Sequence, residues 1–347
     1  MAYTDIDKPS DYFNTVLYTG NNTDNTSITG VGFQPDWVWL KARNQADYHY
    51  SMDSVRGALK PLFQNDTSAE ANFSDSLKSF NTDGFTLGTS GDLNAASQTM
   101  VAWNWKAGGG AGSSNEDGSI NTTSTSVNQT AGFSISTWTG TGSNATVGHG
   151  LGAAPAMIII KSRNTVSLWG VYHQAIGNTH GLFLNATNAA TSLSAYWNNT
   201  SPTSSVFSLG GDADINKSSD PLIAYCFAEK QGYSKFGSYT GNGSSTDNSF
   251  IYTGFKIGWL MIKKTSGTSN WTIWDSVRQS NEINKPLWGD LSNAETAQST
   301  VKLDLLSNGF KIRGNGSNVG SSGGTYIYMA FAENPFVTST GVPATAR

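Results

Sequence analysis

The same succession of landmarks occurs three times along this chain of 347 residues, and this repetition restricts the possible folds most. Each copy begins with an aromatic-Thr-Gly turn, at residues 18–20, 138–140 and 239–241. An apolar run that ends in lysine follows, at Lys41, Lys161 and Lys263. We call the copies the first, second and third units, at residues 12–107, 132–229 and 233–333. Each unit has roughly 100 residues, the size of a small domain.

A second landmark distinguishes the middle copy from its neighbours. The run Asp53-Ser54-Val55-Arg56 of the first unit recurs in the third unit as residues 275–278, with the spacing that separates Lys41 from Lys263. The second unit has His173 in place of the aspartate. The repetition is therefore degenerate but ordered.

The local patterns predict strands. The apolar runs are short, rich in β-branched and aromatic residues, and bounded by Gly and Pro. Large residues alternate with smaller or polar ones over residues 101–106, as a half-buried strand requires. Many short strands separated by Gly, Asn and Asp turns are typical of all-β proteins. We expect an all-β fold of three degenerate β-sandwich or jelly-roll-like repeats.

The remaining segments are expected to connect or anchor these units. Residues 108–131 are rich in Gly, Ser and Thr without periodicity, which predicts a flexible linker and the one hinge. Residues 1–11 are too short and polar for a domain, and we expect them to act as a docking peptide. Within the C-terminal tail at residues 334–347, the part from Val337 to Arg347 is a second candidate for that role.

Composition excludes several classes of function. Asn, Ser and Thr make up 112 residues, whereas only 13% of residues are charged and the formal net charge is −4. No basic patch suits nucleic acid, and no apolar run is long enough to cross a membrane. The N-terminus lacks a secretion signal, so synthesis in a cytoplasm is expected. The single Cys226 excludes an intrachain disulfide and lies in an apolar run typical of a buried residue.

Catalytic and metal-binding motifs are weak. Residues 320–324 match the nucleophile-elbow pattern formally, but no histidine follows them. Residues 212–216 space oxygen donors as a calcium loop does, yet Lys217 stands where such a loop needs glycine. Asp53 with Arg56 and its counterpart in the third unit could be a carboxylate with its tuning cation, but a structural ion pair is the favoured interpretation. We expect neither catalytic residues nor a metal or cofactor.

Aromatic residues supply the candidate binding site. Most of them alternate inside predicted strands and are assigned to the core. Four lie beside polar segments at matching places in the second and third units: Trp169, Tyr172, Trp271 and Trp274. Because aromatic rings stack on sugar rings, these four are the candidates for glycan binding.

Four segments of the first unit form a recognisable motif set: residues 30–43 (GVGFQPDWVWLKAR), 53–58, 79–88 and 101–108. In these segments the first unit resembles a module of marine and cyanobacterial bacteriophage proteins, and the resemblance extends more weakly to the third unit and faintly to the second. The phage proteins are virion structural components, often described as tail-fibre-like. The resemblance implies a place in the virion more than an activity.

We therefore expect a non-enzymatic protein of a virion surface, such as a fibre, an appendage or a head-decoration component. Its expected partners are other virion proteins, further copies of itself in a homotrimer by analogy with phage fibres, and host-surface glycan during attachment. One alternative is a tail-associated depolymerase that cuts host glycan. Another is an internal adaptor that joins virion proteins.

Overall fold

The computed structural model describes residues 4–343 and is almost entirely β, so the expected all-β class is confirmed. The strands of the first unit are β1 (Phe13–Thr19), β2 (Thr26–Ile28), β3 (Trp37–Ala42), β4 (Tyr50–Asp53), β5 (Leu62–Phe63), β6 (Leu77–Asn81), β7 (Gly84–Leu87) and β8 (Thr99–Trp105). The connecting segment contributes β9 (Ser124–Asn128). The second unit contains β10 (Phe133–Thr139), β11 (Ala145–Gly148), β12 (Met157–Ser162), β13 (Gly170–His173), β14 (His180–Phe183), β15 (Thr191–Ser192), β16 (Val206–Leu209) and β17 (Pro221–Phe227).

The third unit contains β18 (Ser234–Thr240), β19 (Phe250–Tyr252), β20 (Phe255–Lys264), β21 (Thr272–Asp275), β22 (Leu287–Trp288), β23 (Leu303–Leu306), β24 (Gly309–Ile312) and β25 (Thr325–Pro335). Helical structure within the described residues consists of a 3₁₀ turn at Pro9–Asp11 and the short helices α1 (Gly91–Asn94), α2 (Ser194–Trp197) and α3 (Ala213–Asn216).

Each unit places a large antiparallel sheet against a small one. The large sheets have the orders β1-β8-β3-β4-β5 and β18-β25-β20-β21-β22 in the first and third units. The second unit has the same order, β10-β17-β12-β13-β14, extended at its edges by β9 and β15. The small sheets are β2-β7-β6, β11-β16 and β19-β24-β23.

Alternation along the large-sheet strands creates two buried faces. In β3, Trp37, Trp39 and Lys41 point to one side, while the residues between them point to the other. All six residues of β3 are buried, because each face is covered by a different layer. The face toward the small sheet forms the unit's own sandwich core.

The opposite faces of the three large sheets meet in one shared cluster, the central core. Its aromatic members are Phe13, Trp37, Trp39, Trp103, Trp105, Phe133, Trp169, Tyr225, Phe227, Tyr233, Phe236, Trp259, Trp271 and Phe331. Trp37 stacks at 4.5 Å on Tyr225 of the second unit, and Trp105 meets Trp259 of the third unit edge-on at 5.5 Å. The units therefore bury their largest rings against one another, and burying each such side chain contributes on the order of 2–3 kcal/mol.

The connecting segment does not behave as the flexible linker that its composition predicts. Its strand β9 pairs with β10 over five residues. Gly109 and Gly110 adopt positive φ angles of 82° and 101°, which lets both backbone N–H groups reach the carboxylate of Asp36. Asp36 is fully buried and also accepts the N–H of Ala107. Backbone hydrogen bonding and this carboxylate hold a segment whose own side chains could not form a core.

The described parts of the terminal segments also pack against the body. Ile6 is 3% exposed and lies in the central core, and Thr4 donates its hydroxyl to the Gln231 carbonyl at 3.0 Å. Asp7 accepts the N–H of Ser339 at 2.6 Å, which joins the two terminal segments. Of the predicted docking peptide and tail, residues 1–3 and 344–347 lie outside the described residues.

Candidate functional site

The four aromatic residues predicted to bind glycan are buried, so this prediction is corrected. Trp169, Tyr172, Trp271 and Trp274 are 0%, 4%, 1% and 0% exposed. Trp169 Nε1 donates to the Phe63 carbonyl of the first unit at 2.8 Å, and Trp271 Nε1 donates to the Phe183 carbonyl of the second unit at 2.8 Å. Tyr172 and Trp274 fill the sandwich cores of their units. Their polar neighbours in sequence belong to the adjoining loops, and the rings themselves offer no surface to a ligand in solvent.

The Asp-Ser-Val-Arg motif of the first unit forms a buried ion pair. Arg56 Nε donates to Asp53 Oδ2 at 2.6 Å, and both side chains are inaccessible to solvent. The remaining guanidinium donors reach the carbonyls of Lys60 and Ser51 and the carboxylate of Glu70. The carboxylate of Asp53 also accepts the hydroxyl of Tyr225 from the second unit at 2.8 Å.

The third unit repeats this arrangement, and the second unit replaces it. Arg278 Nε donates to Asp275 Oδ2 at 2.5 Å, and that oxygen also accepts Trp103 Nε1 of the first unit at 3.0 Å. His173, at the equivalent place in the second unit, lies 3.2 Å from the Tyr328 carbonyl of the third unit through Nε2. The three equivalent side chains thus link the units in cyclic order, first to second, second to third and third to first. This geometry favours the structural interpretation of the two ion pairs.

Glutamate–arginine pairs reinforce two of the three junctions. Glu70 of the first unit accepts two hydrogen bonds from Arg163 of the second unit, both at 2.9 Å. Glu295 of the third unit accepts Arg43 of the first unit at 2.8 and 3.4 Å. At the junction between the second and third units, Ala190 occupies the equivalent place, and only its backbone N–H bonds across to Thr265 at 2.9 Å.

The three lysines that end the apolar runs are buried. Lys161 donates to the Thr67 carbonyl of the first unit at 2.9 Å, and Lys263 donates to the Thr187 carbonyl of the second unit at 2.8 Å. Lys41 instead donates within its own unit, to the carbonyls of Ala42 and Gln45. Burial lowers the pKa of each of the three lysines to about 8.

At the junction between the third and first units, where Lys41 bonds within its own unit, the surface contains a cleft. The junction cleft has a volume of about 450 Å³ and is lined by Ala46, Asp47, Tyr48, Asn65, Asp92, Asp290, Leu291 and Ser292. At the other junctions the loop after the lysine bonds across, through Ser167 to Thr67 at 3.0 Å and through Ser269 to Thr187 at 2.9 Å. Burial raises the pKa of Asp290, and burial together with the nearby Asp92 raises that of Asp47. The cleft is acidic and carries one exposed ring, Tyr48.

A second and larger cleft lies beside the small sheet of the third unit. This edge cleft has a volume of about 600 Å³. It is lined by Asp5, Glu229, Gln231, Gly232, Ser234, Lys235, Tyr252, Thr253, Gly254, Phe336 and Val337. Glu229 pairs with Lys235 at 2.9 Å, and the ring of Tyr252 is 57% exposed. Carboxylate, amide, ammonium and aromatic groups therefore converge on one concave surface.

These two clefts coincide with the exposed aromatic residues. Among residues 4–343, the aromatic side chains counted as exposed are Tyr48, Phe73, Phe250 and Tyr252. Tyr48 lines the junction cleft, and both Tyr48 and Phe73 pack against the ring of Phe63. Tyr252 lines the edge cleft, and Phe250 lies on the same face of β19. None of these four was among the residues predicted to form a site, because Phe250-Ile251-Tyr252 is a continuous apolar run and only the structure shows which of its residues face outward.

The remaining motifs supply no further site. In the described part of the chain, no group of three or more His, Cys, Asp or Glu side chains is arranged to hold a metal ion. Asp212 of the calcium-like segment begins α3 and accepts the N–H of Asp214 at 2.9 Å, which is a helix cap. Cys226 is buried in the sandwich core of the second unit. Over residues 4–343, no helix has the length and apolar character needed to cross a membrane.

Comparison with known proteins gives a family without an assigned activity. The chain matches no curated protein. One family model, described as a domain of unknown function (DUF7483), matches residues 8–335 in a single span. That span includes all three units, the connecting segment and the junction cleft, together with most of the edge cleft, whose Asp5, Phe336 and Val337 lie outside it. The chain therefore belongs to the family of proteins that contain the DUF7483 domain.

Proposed function

We propose that this protein is a non-enzymatic structural component of a bacteriophage particle, exposed on the virion surface as a fibre, an appendage or a head decoration. In this proposal the chain is made in the host cytoplasm, assembles with other virion proteins and further copies of itself as a homotrimer, and contacts host-surface glycan. Residues 12–108 resemble virion proteins, and this resemblance is the first support for the proposal. The second support is structural and comes from the buried carboxylates that link the units.

The structural role is supported by Asp53 and Asp275. We call these two residues locks, because each bonds to another unit as well as to its own. Both carboxylates are fully buried and each bonds an arginine of its own unit and a ring donor of another. A catalytic acid must reach its substrate or a water, and these two are instead saturated by protein donors. These bonds hold the units in fixed positions, as a structural role requires.

The distribution of exposed apolar residues favours a surface position over an internal adaptor. Within residues 4–343, the large exposed hydrophobic side chains are Tyr48, Phe73, Val166, Phe250, Tyr252, Val277 and Val342. Six of them are divided among the three units, with at most three in any one unit, and Val342 lies in the C-terminal tail. An adaptor buried between other proteins would present a contiguous apolar patch of several hundred Å².

Immunogold electron microscopy of intact phage particles, with an antibody against this chain, tests the proposal. Gold at fibre tips or over the capsid is the expected result, and its position distinguishes a fibre from a head decoration. Absence of gold from intact particles, with labelling of disrupted ones, would establish the internal adaptor instead. Release of reducing sugar from host envelope by the purified protein, abolished in Asp53→Asn and Asp275→Asn variants that remain folded, would establish the depolymerase.

A further inference from the structure

The outward face of the second strand differs between the units. Ile28 in β2, Val147 in β11 and Ile251 in β19 are equivalent, because each pairs with a phenylalanine of the neighbouring strand in its small sheet, which is β7, β16 or β24. The residues on either side of them point outward: Ser27 and Thr29, Thr146 and Gly148, and Phe250 and Tyr252. The first unit thus exposes two hydroxyl residues at these places, and the second unit covers its pair with the connecting segment through the Ile120–Val147 bridge.

The third unit exposes two aromatic rings at these places. Phe250 and Tyr252 are 46% and 57% exposed, in a chain that buries ten of its eleven tryptophans. Leaving a large ring in water forgoes a burial contribution on the order of 2 kcal/mol. The fold does not require this exposure, because the first unit builds the same small sheet with Ser27 and Thr29. Because folding does not require these exposed rings, we interpret them as a contact surface for a ligand.

The polar groups around Tyr252 indicate the chemistry of that ligand. Glu229 Oε1 and Oε2 are engaged by Lys235 Nζ and by the backbone N–H of Phe236. Gln231 and Asp5 also line the cleft, are exposed, and are held in place through their backbones, since Asp5 N–H and the Thr4 hydroxyl both bond the Gln231 carbonyl. A carboxylate accepts hydrogen bonds from hydroxyl groups and a side-chain amide both accepts and donates them, while an aromatic face packs on C–H groups. Two carboxylates and one ammonium leave the lining slightly acidic.

We propose that the edge cleft is a binding site for an uncharged saccharide, with Tyr252 as the stacking platform, Phe250 as the neighbouring platform, and Asp5, Gln231 and Lys235 as hydrogen-bonding groups. This inference rests on the proposed function and specifies which part of the molecule meets glycan. A protein partner fits less well, since a stable interface buries about 800 Å² per partner with an apolar centre. Here two rings stand among polar groups beside a concave cleft, as in small-molecule sites.

The test is saturation-transfer-difference NMR of the purified full-length protein with five uncharged hexasaccharides: maltohexaose, cellohexaose, laminarihexaose, mannohexaose and chitohexaose. Transfer to ring protons of at least one saccharide is expected for the wild type. Tyr252→Ala should weaken that binding by about tenfold, which corresponds to about 1.4 kcal/mol. Tyr48→Ala, which removes the comparably exposed ring of the junction cleft, is the matched control and should bind as the wild type does.

Three results would overturn the inference. No transfer to any of the five saccharides would do so, as would binding that is weakened by Tyr48→Ala and unchanged by Tyr252→Ala. The third is a Tyr252→Ala variant that binds saccharide normally but fails to enter particles, which would make the cleft a virion protein interface. Because Tyr252 is exposed, an unchanged thermal unfolding curve verifies that the variant is folded. Immunogold labelling of particles without saccharide binding would remove this inference and leave the structural proposal standing.

Discussion

At the scale of the residue, one position in each unit decides how that unit meets the next. Asp53 and Asp275 combine an internal arginine with a donor from another unit, whereas His173 reaches a backbone carbonyl. An aspartate at this position requires the arginine three residues later, because a buried carboxylate without a cation is costly. The second unit has Ile176 there, so a neutral imidazole replaces the charged pair.

Removing the charge of Asp53 should destabilise the whole protein. The Asp53→Asn variant leaves the buried Arg56 with Glu70 as its remaining carboxylate partner and weakens the bond to Tyr225. Loss of one member of a buried ion pair typically lowers the free energy of unfolding by about 3–5 kcal/mol. Urea denaturation followed by tryptophan fluorescence measures the change. The matched control is Asp24→Asn, which disrupts the exposed pair with Lys78 and should leave the midpoint nearly unchanged. Equal effects of the two variants would contradict the assignment of Asp53 as a lock.

His173 should make the junction between the second and third units sensitive to acid. Burial lowers the pKa of His173 to about 4, whereas an unfolded histidine titrates near pH 6.5. Between these values the unfolded chain binds a proton that the folded chain excludes, so the free energy of unfolding falls as the pH is lowered through this window. Other buried groups contribute as well, so the comparison is between variants.

The His173→Gln variant retains a donor for the Tyr328 carbonyl and cannot titrate. Between about pH 7 and pH 5 it should lose about 2 kcal/mol less stability than the wild type. Urea unfolding at the two pH values gives the difference. His180→Gln, at a partly exposed site on β14 where Nδ1 contacts the Thr179 hydroxyl, is the control. The same pH dependence in wild type and His173→Gln would show that His173 does not supply this proton.

At the scale of the element, the buried carboxylate of Asp36 fixes the connecting segment to the rest of the fold. Asp36 precedes β3 and receives three N–H groups from residues 107–110 and the hydroxyl of Ser54. The chain direction of the segment is thereby set as it leaves β8, and β9 continues it as the edge strand next to β10. Glycine at 109 and 110 permits the positive φ angles that bring consecutive N–H groups to one anion.

Replacing Asp36 by alanine should release this part of the chain. Without the carboxylate, the N–H groups of Gly109 and Gly110 lose their acceptor and the segment has little apolar surface to hold it. Amide hydrogen exchange measured by mass spectrometry should accelerate at residues 107–112 by about tenfold or more, since each 1.4 kcal/mol of lost protection is a factor of ten. The control is Asp83→Ala, whose exposed carboxylate bonds Gly30 and Gly32 in the first unit. Unchanged exchange at residues 107–112 in Asp36→Ala would contradict the anchoring role.

At the scale of the whole molecule, the central core makes the three units depend on one another. The tryptophans Trp37, Trp39, Trp103 and Trp105 belong to one unit, yet they lie in the cluster that all three large sheets form. An isolated first unit would expose these rings to water. The cyclic contacts also give one chain an approximately threefold arrangement of sheets, so a homotrimer is not needed to complete the core.

The full chain should therefore unfold as one cooperative body. Differential scanning calorimetry is expected to show one transition with a calorimetric enthalpy close to the van't Hoff enthalpy. A fragment of residues 12–107 should lack a cooperative transition and should bind the dye ANS through its exposed tryptophan face. Two or three separate transitions of the full chain, or a stably folded fragment, would show that the sandwich cores are sufficient and that the central core is dispensable.

The short strands with their turns, the all-β class and the core position of most aromatic residues could all be predicted from the sequence. These follow from alternation and turn chemistry, which act between neighbours in the chain. The direction in which each strand face points could not be predicted, because it depends on long-range packing. The burial of Trp169 and Trp271, the locking role of Asp53 and the order of the connecting segment all depend on contacts between residues more than 50 positions apart. Alternation predicts that a strand has two faces, but whether a face meets solvent, a small sheet or another unit is set by how three sheets close around one core.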